Sequence, residues 1–292
     1  MPRFYRVSDF LSLVKFSHTI FALPFALLGF FLASLDQGRL SWYTLALVVA
    51  AMVFARSAAM GFNRYLDRDI DRRNARTAVR EIPAGAISAR AALLFVGANV
   101  LAFAATAALL NFLCLLLSPV ALAVILGYSY TKRFTYLCHF VLGLGLALAP
   151  VGAYLAVRAQ WDLLPVLYGI VVLFWVSGFD IIYALQDEDF DRREELYSIP
   201  VRLGTQRALW LGRLLHLGSA ATLVGALGLQ YGRYPQFGFL TVGAGIVFVS
   251  LLVYQHSLVR PGDLSRVNLA FFTTNGVASL IFGSLTIVDI YL

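Results

Sequence analysis

Apolar residues run in long blocks along this chain, and the charged residues that interrupt them fall in short clusters. Lys15 to Asp36 encloses one block and Arg39 to Arg56 a shorter one. Arg90 to Lys132 encloses enough chain for two crossings, with a break expected at Asn111 or at Ser118-Pro119. Further blocks lie between Arg133 and Arg158, Asp162 and Asp180, Arg213 and Arg233, Arg233 and Arg260, and Arg266 and Asp289. A helix needs about 20 apolar residues to cross the hydrocarbon of a bilayer. Backbone polar groups in lipid must be bonded within the segment, so spans of this kind are helical. The alternation of a membrane barrel is absent. The pattern predicts an all-α integral membrane protein with nine transmembrane helices, built as a single domain over residues 1–292.

Composition agrees with the pattern. The chain is 60% hydrophobic and 13% charged, against about 25% charged in a typical soluble domain. The first block follows Arg3, Arg6 and Lys15, as in a secretory signal, but eight further blocks favour a retained first helix. The two cysteines, Cys114 and Cys138, lie in apolar context and imply neither a disulfide framework nor a metal site.

Charge placement adds orientation. The net charge of +7 is no argument for nucleic acid, because the basic residues sort by side. With nine spans, the leader, residues 63–90, Lys132-Arg133, residues 187–213 and Arg260 to Arg266 share one face. They hold 19 of the 23 Lys and Arg residues. Arg39, Arg158 and Arg233 fall on the other face, and Arg56 lies inside the second span. Positive charge marks the cytoplasmic side, so the N-terminus and the charged loops are expected in the cytoplasm and the C-terminus outside. The membrane is expected to be a prokaryotic-type inner or plasma membrane.

Two aspartate clusters carry the candidate chemistry. After the second span comes Asn63-x-x-x-Asp67-x-x-x-Asp71. After the sixth comes Asp180-x-x-Tyr183-Ala184-x-x-Asp187-x-x-x-Asp191. The paired aspartates are offset equally, by 120 residues, and Arg-Arg follows each pair. A Pro–Gly segment then follows each, "REIPAG" and "YSIPVRLG". This suggests one unit used twice, in halves of about 1–132 and 133–292. Spacing by four on an α-helix sets residues 63, 67 and 71 on one face. Carboxylates so close repel unless a cation lies between them. Oxygen-rich sites of this type suit Mg²⁺, which takes one or two carboxylates plus substrate phosphates. Two clusters facing each other across a cavity would hold Mg²⁺ around a diphosphate. A solvated loop of Asp–Arg pairs is the plain alternative. It explains one cluster as well as metal binding does, and explains two in matched positions poorly.

These residues resemble the UbiA family of intramembrane prenyltransferases. Asn63, Asp67 and Asp71 match its first motif. Asp180, Tyr183, Ala184, Asp187 and Asp191 match its second. "NARTAVREIPAG", "GYSYTKRFT" and "SIPVRLG" are similar to its connecting segments. The resemblance implies a helical bundle like the soluble isoprenyl synthases, opened sideways to lipid, with a cytoplasmic-side active site. It also implies Mg²⁺ and an allylic isoprenyl or polyprenyl diphosphate, used to alkylate a small aromatic acid of ubiquinone or menaquinone biosynthesis.

On that reading Asp67, Asp71, Asp187 and Asp191 bind the metal, and Asn63 adds or orients an oxygen ligand. Lys132 and Arg76 contact the diphosphate, Lys132 also neutralising the leaving group as charge develops. For Arg72, Arg73 and Arg80 a solvated face or a lipid headgroup serves as well. Asp180 would orient or deprotonate the acceptor, or join the metal shell, with Tyr183 one turn away at the cavity mouth. Phe62, Tyr128, Tyr130 and Tyr183 would face the allylic cation, or simply pack the core and the membrane interface.

Lys15 and His18 are candidate acceptor contacts. Their segment, "VKFSHTIFALPFAL", departs from the Arg-x-Asp-Lys-Pro pattern of the family's 4-hydroxybenzoate enzymes. That leaves room for another aromatic acid, such as 1,4-dihydroxy-6-naphthoate; a lipid-forming or haem-modifying member of the family would instead take a glycerol phosphate or a porphyrin. Two other classes fit these residues less well. A CDP-alcohol phosphatidyltransferase would carry Asp-x-x-Asp-Gly-x-x-Ala-Arg upstream, which is absent here. A transporter would place its ionisable groups near the bilayer midplane, whereas these carboxylates crowd one rim. The Pro and Gly residues of 72–90 and 192–206 permit those loops to cap the site. No protein partner is implied.

Overall fold

The computed structural model describes residues 7–14 and 21–292. The helices in chain order are α1 (Val7–Leu13), α2 (Leu23–Gln37), α3 (Trp42–Arg73), α4 (Ala89–Leu110), α5 (Phe112–Thr131) and α6 (Cys138–Arg158). There follow α7 (Leu163–Ala184), α8 (Glu188–Arg193), α9 (Ile199–Arg233), α10 (Phe239–Leu258) and α11 (Asn275–Asp289). A 3₁₀ turn, Leu185–Asp187, links α7 to α8, and a π-helical turn, Leu269–Thr274, leads into α11. Among the described residues the only β-type pairing is an isolated bridge between Arg260 and Asp263.

Eight of the described helical segments are long and apolar enough to cross a membrane, and α2 is a shorter apolar helix of 15 residues. The sequence pattern predicts nine full spans, the first beginning near Lys15. The described part of that first span begins at Leu23, with Pro24 in its opening turn. Proline suits a helix start because the first N–H groups have no intrahelical partner.

The break expected between Arg90 and Lys132 falls at Asn111. Its Oδ1 caps α5 by accepting the Cys114 N–H at 2.9 Å, and its Nδ2 donates to the Leu155 and Ala156 carbonyls of α6. Pro119 is instead accommodated inside α5.

The core gathers on α7. Tyr168, Val171, Val172, Trp175 and Val176 are fully buried there. Trp175 packs against Phe25 of α2 and Phe248 of α10 at centroid distances of 5.6 and 5.4 Å, and Phe282 of α11 stacks on Phe25 at 5.6 Å. The indole N–H donates to Asn275 Oδ1 at 2.7 Å, which satisfies a buried donor where no water is at hand. At the far end of the bundle, Asp36 on α2 accepts from Tyr154, Arg233 and Tyr234 at 2.5, 2.9 and 2.7 Å, tying α2 to α6 and α9.

Small residues let the helices close up, as is usual where lipid competes for apolar contact. A Cβ on Gly29 of α2 would lie 2.2 Å from the Pro150 carbonyl oxygen of α6, so no side chain fits there. Gly29→Val is expected to destabilise the bundle by about 1–3 kcal/mol, as overpacking of a close-packed interior does. The lowered midpoint would be read by thermal unfolding in detergent. An unchanged midpoint would contradict the close α2–α6 approach.

Candidate active site

Helix α3 carries the first motif without interruption from its Ser41 cap to Arg73. Asn63, Asp67 and Asp71 therefore share one face. Asp67 and Asp71 are only 2% and 4% exposed. The second motif is built differently. Helix α7 stops at Ala184, the 3₁₀ turn carries Asp187, and α8 carries Asp191. The change of winding turns Asp187 toward the segment that follows α3.

The two motifs meet around a polar cavity of about 170 Å³. Asn63, Asp67, Asp71, Arg76, Lys132, Asp187 and Asp191 all line it, and so do Asn74 and Arg80. Each buried carboxylate next to this cavity would repel its neighbours in a low dielectric, and basic side chains offset that repulsion. Asp67 Oδ2 accepts from Lys132 Nζ at 2.5 Å and from Asn63 Nδ2 at 3.2 Å, while its Oδ1 accepts from Arg133 at 2.9 Å. Asp71 Oδ1 accepts from Arg80 at 2.7 Å.

Asp187 takes a two-point contact from Arg76, at 3.1 and 2.5 Å, and a third bond from Asn74 at 3.2 Å. Burial alone would lower the Arg76 pKa, but the Asp187 carboxylate overrides it and raises it above the ordinary value. Arg76 therefore stays charged. Arg73 reaches Glu194 at 2.7 Å. The loop after α3 is thus bound to the loop after α7 by two ion pairs.

Asp180 and Tyr183 do not line the polar cavity. The Asp180 carboxylate faces His139 at the start of α6, Oδ2 to Nδ1 at 2.7 Å. His139 Nε2 accepts the Ile199 N–H at 3.3 Å, so Nδ1 carries the proton donated to Asp180. Tyr183 stacks on Phe271 of the π-turn at 4.0 Å, and its hydroxyl accepts from Arg76 at 3.3 Å. Phe62 packs against Tyr65 and Tyr130. Lys15 and His18 lie outside the described residues.

A second cavity, of about 330 Å³ and mostly apolar, lies among α3, α4, α5 and α6. Met52, Met60, Phe103, Leu117 and Tyr128 are among its lining residues, and Arg56 is the one charged residue among them.

The donor chemistry fits a hard divalent cation: four carboxylates and an amide oxygen face one cavity. Asp71 Oδ2 is buried there without a hydrogen-bond partner. Among the described residues no three His, Cys, Asp or Glu side chains already converge as a ready metal cage.

Several participants were invisible to sequence reasoning. In sequence Arg133 reads only as part of a basic pair, and Arg80 as a diphosphate contact no better supported than a solvated face. Asn74 stands in sequence only as the start of "NARTAVREIPAG", and His139 carries no signal, because their partners lie 113 and 41 residues away.

Residues 22–277 match the UbiA prenyltransferase family, and the chain belongs to it. A 4-hydroxybenzoate octaprenyltransferase of Aliivibrio salmonicida is 30% identical over 84% of each chain. A UbiA homolog from Aeropyrum pernix K1, solved in its apo form, is 36% identical. It superposes with a TM-score of 0.82 over 94% of this chain and 98% of its own. A UbiA homolog from Archaeoglobus fulgidus, bound to DMAPP and Mg²⁺, shares the fold. Its TM-score is 0.72 over 97% of this chain and 99% of its own, at 20% identity.

His139→Leu would strip the Asp180 oxygen and the Ile199 N–H of their partner at once. A loss of about 1–3 kcal/mol is expected for each buried group left unsatisfied. His139→Gln, which offers both a donor and an acceptor, should recover part of it. Thermal unfolding of the two variants in detergent would check the ranking, and equal midpoints for His139→Leu and wild type would count against the bridge.

Proposed function

We propose that this UbiA-family protein transfers a polyprenyl group from an allylic isoprenyl diphosphate to a small aromatic acid, with Mg²⁺ as its metal. The observation that carries the reading is the meeting of both carboxylate motifs with Lys132, Arg76 and Arg80 around one polar cavity. The apolar cavity among α3, α4, α5 and α6 suits the isoprenoid tail. The names of the curated relatives make 4-hydroxybenzoate the first acceptor to consider. The altered segment around Lys15 makes 1,4-dihydroxy-6-naphthoate the second.

Diphosphate leaves carbon only when its growing charge is neutralised. Asp67, Asp71, Asp187 and Asp191 would hold the metal, with Asn63 adding or orienting an oxygen. Bound Mg²⁺ supplies Lewis-acid neutralisation of the diphosphate oxygens. Lys132 and Arg76 are engaged by Asp67 and Asp187 in the ligand-free protein. Both border the cavity, so both can turn from carboxylate to phosphate oxygen as substrate enters.

The allylic C–O bond breaks with its electron pair going to the diphosphate oxygen. The ring carbon of the acceptor then bonds to the allylic carbon, and the ring loses a proton. Asp180, oriented by His139, is the carboxylate we assign to the acceptor side, either to orient it or to take that proton. Tyr183 and Phe271 offer ring faces to a passing cation. The segments after α3 and α7, joined by Arg76–Asp187 and Arg73–Glu194, would exclude water that could trap the cation. The basic bias of these segments favours a cytoplasmic active site and N-terminus, with the C-terminus outside.

Membranes carrying the protein, incubated with Mg²⁺, a labelled isoprenyl diphosphate and either acid, should yield the acid plus one prenyl chain by mass spectrometry. Chelation of the metal should abolish product. Asp67→Ala and Asp191→Ala should each lower kcat by about 100-fold or more, the scale of lost transition-state neutralisation. Neither product nor diphosphate release with any aromatic acid would sink the prenyltransferase reading. Substantial turnover in either variant would remove that residue from the metal site.

A further inference from the structure

Asn275 opens α11 directly after the π-turn, and its side chain is fully buried. It lines neither cavity. An amide in such a place must find partners on both of its sides, because packed apolar side chains offer none. Its Oδ1 accepts the Trp175 indole N–H at 2.7 Å. Its Nδ2 donates to the carbonyls of Ala270 and Phe271 at 3.0 and 2.9 Å, and more weakly to Gln255 Oε1 at 3.4 Å. An indole N–H only donates and a carbonyl only accepts, so the amide has one orientation. Aspartate would lack the donors, and leucine would lack donors and acceptor alike.

Both backbone carbonyls belong to the π-turn. Its wider winding takes carbonyls out of the ordinary i to i+4 ladder. The Asn275 backbone N–H goes to the Phe272 carbonyl, and its side chain takes the two carbonyls before that one. Thr274 Oγ1 adds a bond to the Ala270 carbonyl. Without this brace the segment can relax to α-helical winding. One residue of register is about 100° around a helix axis.

Phe271 is the ring that this winding aims. It stacks on Tyr183 at 4.0 Å and stands edge-on to Phe179 at 5.2 Å, and Phe272 meets Tyr183 edge-on at 5.8 Å. Tyr183 in turn holds Arg76. Its hydroxyl accepts from Arg76 Nη1 at 3.3 Å, and the guanidinium lies over its ring at 5.6 Å. The other side-chain partner of Arg76 is Asp187, which on the proposed reading is given over to the metal. Tyr183 is then the partner left to direct the guanidinium into the polar cavity that Arg76 lines.

We propose that Asn275 is a positioning residue: by bracing the π-turn it fixes Phe271 against Tyr183 and so aims Arg76 at the diphosphate. The inference rests on the prenyltransferase reading and adds a determinant of diphosphate binding that touches no substrate.

The test combines Asn275→Leu with Arg76→Ala in a double-mutant cycle on the full chain in detergent. Mg²⁺–geranyl diphosphate and 4-hydroxybenzoate are the substrates, with thermal unfolding run alongside. Asn275→Leu should raise the KM for the diphosphate about 10-fold, the low end of a lost charge-assisted hydrogen bond, and leave the KM for the acid little changed. In the Arg76→Ala background it should add little, because residues acting through one contact are not additive. Trp175→Phe is the control. It strips the Asn275 oxygen of its donor and spares the carbonyl bonds, so the midpoint should fall while both KM values hold.

Full additivity in the cycle would make Asn275 structural and overturn the proposal. So would an unchanged diphosphate KM in Asn275→Leu, equal rises for acid and diphosphate, or the same diphosphate rise in Trp175→Phe. If Asn275→Leu does not accumulate, Phe271→Leu removes the aimed ring without touching the amide. It is read in the same cycle with Arg76→Ala, and additivity there likewise overturns the proposal. If wild type prenylates no aromatic acid, the prenyltransferase reading fails by itself. The midpoint rise caused by Mg²⁺–geranyl diphosphate then decides the positioning alone. A smaller rise in Asn275→Leu, with no additional loss when Arg76→Ala is combined with it, supports the proposal. A full rise in Asn275→Leu, or none in wild type, overturns it.

Discussion

Carboxylates at the edge of a low-dielectric slab must be neutralised, and most of the architecture around this site follows from that requirement. Asp67 and Asp71 are almost wholly buried, where an unpaired charge costs several kcal/mol. Each is met by a cation drawn from elsewhere: Lys132 and Arg133 from the end of α5, and Arg80 from the loop after α3. Asp187 is met by Arg76 from that same loop. The loop is therefore folded over the carboxylates by the charges it neutralises. The same pairs make the ligand-free site a stored set of countercharges. On the proposed reading a metal and a diphosphate arriving together would exchange partners with them, the carboxylates holding the metal and the basic groups the phosphates.

The requirement for dryness acts on the other side. An allylic cation survives only where water is excluded, and the apolar cavity beneath the polar one is walled by spans that bury their backbone polarity internally. Helix α7 forms the spine of the bundle. Its Trp175 donates to Asn275, Ser177 donates to the His139 carbonyl, and Asp180 meets the His139 ring. These three polar groups of α7 are thus answered by neighbouring helices. The rigid spine lets Tyr183, at its last turn, hold a fixed place between Phe271 and Arg76. The π-turn supplies the irregular winding that aims Phe271 at that ring, and π-turns recur at functional sites.

The elements legible from sequence were those written in local periodicity. The apolar blocks located the spans from α3 onward, because hydrocarbon thickness fixes their length. Spacing by four placed Asn63, Asp67 and Asp71 on one face of α3, since a continuous helix carries them. The break at Asn111 was among two possibilities, and a side chain able to cap one helix while bonding the next decided it. What stayed hidden depends on pairing at a distance. Nothing local distinguishes Arg133 from a topology marker, yet it reaches Asp67 across 66 residues. His139 reads as an ordinary residue after a cysteine. Both pair across distant parts of the chain, which no single window of sequence records.

The equal offset of the two aspartate pairs suggested one unit used twice, but the two clusters are not folded alike. The first stays on one unbroken helix, so Asp67 and Asp71 stack along a single face. The second is interrupted after Ala184 by the 3₁₀ turn. Tighter winding there changes the angle between successive side chains. Asp187 consequently leaves the line of Asp191 and turns to the loop after α3, where Arg76 and Asn74 hold it. Had α7 continued, its aspartates would form a second straight ladder parallel to the first, and the two loops would have no carboxylate to share. The asymmetry is what joins the halves. One motif supplies a fixed wall of carboxylates, the other a carboxylate that can pull the opposite loop over the cavity. A cavity that must admit a diphosphate and then exclude water needs one of each.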